Sequence, residues 1–176
     1  MNINKEKKLA DETANELQTI VSDIVNKQCK NLDIIIKKMS NIEALSNDEL
    51  RKLMAQSSVE SYIISAFRDQ SALRELCANA LYKEGIANSY NTATGTVEAK
   101  KNSSITDNVE KQMVSILYSN IYDTLKTKVD EAHRLTNTIS NILISRMTEA
   151  KLYYNPMSEA INLEVNNETD GIQQSN

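Results

Sequence analysis

The chain has 176 residues, with 20 Lys and Arg against 24 Asp and Glu, for a formal net charge of −4. Three Gly and one Pro cannot supply the turns of a many-stranded sandwich or barrel, nor a glycine-rich nucleotide loop. One His and two Cys (Cys29 and Cys77) cannot build a zinc site from Cys and His alone, and an apolar share of 40% argues against a thick core.

The first predicted element is a helix from about Asp11 to Ile42, roughly 48 Å long. Leu17, Val21, Ile24/Val25, Cys29, Leu32, Ile36 and Met39 step by threes and fours, the spacing of one helical face. Ser46-Asn-Asp-Glu49 then reads as a capping box. The Ser46 hydroxyl takes the Glu49 amide and the Glu49 side chain reaches back, so a helix starts at Asn47. The stripe assigned to this second helix is Leu50, Leu53/Met54, Tyr62/Ile63, Ala66/Phe67, Leu73, Leu76/Cys77, Ala80/Leu81 and Ala87. A break follows at residues 89–97, where Gly95 takes positive φ without strain. Val97 to Asn102 reads as a short helical turn, with a second cap at Ser104 to Asp107. The last helix runs from about Thr106 to Tyr154 on Val109, Met113, Ile116/Leu117, Ile121, Leu125, Val129, Ala132, Leu135, Ile139, Ile142/Leu143 and Met147. Pro156 is expected to end it.

The charge is unevenly placed. Glu159, Glu164, Glu168 and Asp170 follow Pro156 with no Lys or Arg, so the body before it is neutral. The organisation expected is an N-terminal helix (1–44), a long helical hairpin (45–155) with its turn near 89–104, and a flexible, disordered acidic tail (156–176). The fold class is all-α: an elongated long-helix hairpin or coiled-coil bundle. Narrow seams leave little core within one chain, so a homo-oligomer is expected. No apolar run approaches the ~20 residues of a membrane span. Two unrelated Cys suggest free thiols and a cytoplasmic setting.

Few residues carry candidate chemistry. His133 lies near Asp130 and Glu131, but a helix offers no oxyanion donors, and a solvated face is the plainer reading. Glu75, Glu84, Asp107 and Glu110 lack the Glu-x-x-His pairs of a di-iron bundle, so no metal or other cofactor is expected. Cys29 and Cys77 read as buried small hydrophobes. Lys83, Lys100, Lys101, Lys126, Lys128 and Arg134, with Tyr118 and Tyr122, could form a groove placing cations on phosphates and rings on bases. Ordinary helix surface is the competing reading.

The stretch from Leu73 to Lys151 resembles small helical proteins of tailed phages. It shares an Ala-rich helix (Ala72, Ala78, Ala80, Ala87), the turn Thr94-Gly95-Thr96-Val97, a midpoint Tyr122-Asp-Thr-Leu125 and the run Ile139-Ser-Asn-Ile-Leu-Ile-Ser-Arg146. Some of these look like recombination mediators, ring-forming proteins without enzymatic activity that help load a recombinase onto single-stranded DNA. The resemblance implies a phage-encoded, non-enzymatic accessory of DNA recombination or replication. Its partners would be a recombinase or single-strand binding protein, and single-stranded DNA. The tail residues Glu159, Glu164, Glu168 and Asp170 would dock on a basic groove of the partner, or mimic DNA and compete with it there. A virion scaffold or adaptor, and an inhibitor of a host factor, are the alternatives.

Overall fold

The computed structural model describes the backbone of residues 3–172 and the side chains of residues 7–151. Among the described residues there are four α-helices, one 3-10 turn and no strand, so the chain is all-α. Helix α1 spans Ile3–Met39, α2 Asn47–Thr92, α3 Val97–Thr106 and α4 Val109–Ile172. A 3-10 turn, Ile42–Ala44, joins α1 to α2.

The capping box forms as read. The Glu49 amide donates to the Ser46 hydroxyl at 3.3 Å, and the Ser46 amide donates to the Glu49 carboxylate at 2.8 Å. Those bonds from Ser46 hold the Glu49 carboxyl below its ordinary value of 4.5. A depressed carboxylate stabilises the fold above its unfolded value, and the contribution disappears as pH falls through the lower folded value. Loss of the N-cap hydroxyl in Ser46→Ala is expected to cost about 1 kcal/mol at neutral pH. The gap between variant and parent should narrow below pH 4.5 in urea titrations; a pH-independent gap would assign the loss elsewhere. At the far end of α2, Gly95 has φ 109°, and Thr96 caps α3 by accepting from the Ala99 amide at 3.3 Å.

Chain direction follows from which residues meet. Val21, Val25, Cys29 and Leu32 of α1 share a core with Ile121, Leu125, Val129 and Ala132 of α4, closed by Ile64 of α2. Below it, Ile35 packs with Leu50, Leu53, Ile139 and Leu143. Residue numbers rise together on α1 and α4, so these helices are parallel. Ser57 reaches Ala132 while Gly85 lies against Asn108, so α2 runs antiparallel to α4. Arg146 closes the lower end. Its guanidinium donates to the carbonyls of Leu45 (2.6 Å) and Ile42 (3.1 Å), fixing the α1–α2 connection.

Ser104 lies inside α3 and Asp107 at its C-terminal end, so the cap expected there does not start the last helix, and the structure corrects the sequence reading in three larger places. On α2 the assigned stripe holds at its start, where Leu50 and Leu53 are buried, and at Phe67, which packs half-buried on the upper core. Elsewhere beyond Met54, the buried residues facing α4 are Ser57, Ser61, Ile64, Ser71, Ala78 and Gly85. Tyr62, Leu73 and Leu76 lie on the opposite face and are 80%, 63% and 67% exposed. Small side chains let the α2 and α4 backbones approach, and a hydroxyl is tolerated there because a carbonyl is within reach. Second, Cys77 is exposed on that outer face, whereas Cys29 is fully buried. Third, the backbone of α4 stays helical through Pro156 to Ile172. There the proline costs the helix one main-chain hydrogen bond and crowds the carbonyl one turn earlier. The side chains assigned to the acidic tail, Glu159, Glu164, Glu168 and Asp170, lie outside the described ones.

Candidate functional site

Between the two apolar clusters the bundle carries a polar layer. The Ser57 hydroxyl, fully buried, donates to the Ala132 carbonyl at 3.0 Å, and Thr136 donates to Ser57 at 3.1 Å. Asn31 donates to the buried Glu60 carboxylate at 3.0 Å, tying α1 to α2. Lys128 bridges Glu131 at 2.8 Å and Asp33 of α1 at 3.7 Å, and its pKa is raised, first by the Glu131 hydrogen bond. Each bond crosses between helices or orients one that does. A one-turn slip between α2 and its neighbours would leave Ser57 and Glu60 unpaired in the interior, so these two help set the register.

Ser61 and His133 also meet here, with Oγ and Nε2 3.1 Å apart. The distance suits a nucleophile and its base. The rest of such a site is missing around it. Ser61 is buried in mid-helix, where neighbouring main-chain amides are already bonded, and among the described residues no carboxylate hydrogen-bonds the His133 ring. The contact serves as another cross-link between α2 and α4. Sequence reasoning weighed His133 but missed Ser61, because their meeting depends on helix register. Burial pushes the Cys29 thiol up to about 11, leaving it protonated and unreactive.

The proposed nucleic-acid residues are scattered rather than gathered into one groove. Lys83 is exposed near the upper end of α2, and Lys100 and Lys101 sit on α3. Lys126 is exposed on α4 one turn after the half-buried Tyr122, and Arg134 is exposed two turns further on. Two members are otherwise engaged. Lys128 is held by Asp33 and Glu131, and the Tyr118 ring packs on the upper core with the Arg74 guanidinium 5.8 Å from its centroid.

The concave feature nearest the polar layer is an open groove of about 410 Å³ between α1 and α2, lined by Asn31, Ile34, Ile35, Lys38, Ala55, Gln56, Val59 and Glu60. It is apolar along its floor, as a surface for another helix would be. No group of three or more His, Cys, Asp or Glu among the described residues could hold a metal ion. No described helix is long and apolar enough to cross a membrane. No protein-family model, curated protein or solved structure matches the chain.

Proposed function

We propose that this chain is a non-enzymatic assembly protein, a helical adaptor or scaffold that works by holding other polypeptides against the sides of its long helices. The observation that carries this reading is the placement of exposed apolar side chains. Ile20, Ile24 and Ile34 on α1, Leu73 and Leu76 on α2, and Ile116, Ile144 and Met147 on α4 all project outward at helical spacing. Runs of this kind on a soluble surface mark contact sites for other chains. In cells that produce it, the protein is expected to co-sediment with other polypeptides at fixed stoichiometry, in particles heavier than any self-assembly. A chain that sediments only with itself would reject the reading.

The recombination-accessory role is the second reading, with a recombinase, a single-strand binding protein or single-stranded DNA as partner. It is favoured by Lys83, Lys101, Lys126 and Arg134, which are exposed and without an ion pair among the described residues. A gel shift of single-stranded DNA at about 50 mM salt is then expected, weakening steeply as salt rises. Joint replacement of Lys100, Lys101 and Lys126 by Glu should abolish it. Unshifted DNA under these conditions removes nucleic acid from the list of partners.

A further inference from the structure

The face of α2 that points away from α4 repeats with a strict alternation of four and three residues, from Tyr62 through Ala66, Asp69, Leu73 and Leu76 to Ala80, Lys83 and Ala87, all exposed. A period of 3.5 is the seam of a two-stranded coiled coil. Beyond Ile64 the buried positions facing α4 are Ser71, Ala78 and Gly85, while Leu73 and Leu76 turn outward. A monomer gains nothing from that arrangement. A helix clasped on two opposite sides does.

The order of side chains along this seam identifies the occupant. Deepening the assembly reading above, and resting on it, we propose that the outer face of α2 binds the same face of a second copy, antiparallel, about a two-fold axis between Leu73 and Leu76. In that register each Leu73 meets the partner's Leu76. Moving outward, Asp69 meets the partner's Ala80, Lys83 meets the partner's Ala66, and Tyr62 meets the partner's Ala87. Every layer beyond the leucines thus sets a small residue against a larger one, as close packing requires. Asp69 and the partner's Lys83 stand one layer apart, so two ion pairs flank the leucine centre. The Arg68 guanidinium holds only Oδ1 of Asp69, which leaves Oδ2 for this contact. A parallel pairing would stack Asp69 on Asp69, Lys83 on Lys83 and alanine on alanine, leaving like charges and voids together. The two-fold arrangement also makes the interface self-complementary and closed, so it ends at a dimer.

Light scattering on the purified full chain at micromolar concentration tests this. The expected mass is twice 19.8 kDa. Leu73→Glu should give the single-chain mass with unchanged helical circular dichroism, because the side chain is solvent-facing in the isolated chain. Asp69→Lys and Lys83→Asp should each weaken the dimer at least about tenfold, by placing like charges in both flanking layers. The double variant should restore it. A short bismaleimide linker should join two chains through Cys77, near the axis, and Cys77→Ser should abolish the product, since Cys29 is buried. A single-chain mass for the parent protein overturns the proposal, as does a dimer that survives Leu73→Glu or a double charge swap that fails to rescue. A single-chain mass alongside heavy mixed particles in cells would overturn the second copy alone. A dimer that never enters mixed particles would instead reject the adaptor reading.

Discussion

Ile64→Ala is expected to lower the stability of the bundle by about 2–5 kcal/mol, the range for truncating a large buried aliphatic side chain. Ile64 is fully buried and is the α2 member of the upper core, where it meets Val21 to Leu32 from α1 and Ile121 to Ala132 from α4. Its α2 neighbours on the same seam include Ser57, Ser61 and Ser71, and the one bulky side chain beside it is the half-buried Phe67. Where the loss falls in the range therefore reports how far Phe67 moves into the space. Urea unfolding followed by circular dichroism reads it directly. A loss below about 1 kcal/mol would mean that α2 can collapse onto α4 there, and that the three helices are not joined at Ile64.

Gly85→Ala is expected to destabilise the protein by about 1–3 kcal/mol, against the usual sign for an interior helix position. Alanine normally gains about 1 kcal/mol over glycine in mid-helix. Here the added Cβ would overlap Oδ1 of Asn108 and lie 2.9 Å from its Cγ. Asn108 cannot step aside cheaply. It is 2% exposed, and its amide donates to the Ser104 carbonyl at 2.9 Å and to the Ser89 hydroxyl at 3.0 Å, while Lys111 donates to its Oδ1 at 3.0 Å. Shifting it leaves several buried polar groups without partners. Asn108→Ala in the same chain should remove the obstacle, so the double variant should lose less than the sum of the two single losses. A Gly85→Ala protein as stable as its parent would show that this end of the hairpin yields without strain.

The legible part of the fold was the part written in local code. Ser46 and Glu49 lie three residues apart and need nothing distant to define the start of α2. The stripes of α1 and α4 could be read because their buried faces are apolar throughout. Past Met54, α2 defeated the same rule for a physical reason. Hydrophobic periodicity finds the most apolar face of a helix, and here that face is the outer one, while the seam on α4 is small and hydroxyl-bearing. Cys77 was misplaced along with it. The polar layer was equally hidden, because Asp33 with Lys128, Asn31 with Glu60 and Ser61 with His133 are pairs set by the register between helices. The basic residues were visible one by one. Their scattering, and the engagement of Lys128 and Tyr118, depends on faces that a list of charges does not record.

The parallel pairing of α1 with α4 also bears on how the protein is made. Helix α1 is synthesised before the other three helices, but its buried partners Ile121 to Ala132 lie roughly a hundred residues later, the kind of distant contact that slows folding. At translation rates of about 5–20 residues per second, Val21, Val25 and Leu32 wait about 5–20 s outside the ribosome for their α4 partners. Of the four helices, the earliest made is thus the last to be fully enclosed. During that interval its apolar face is the part of the nascent chain most open to chaperones, and to the same face on a neighbouring chain.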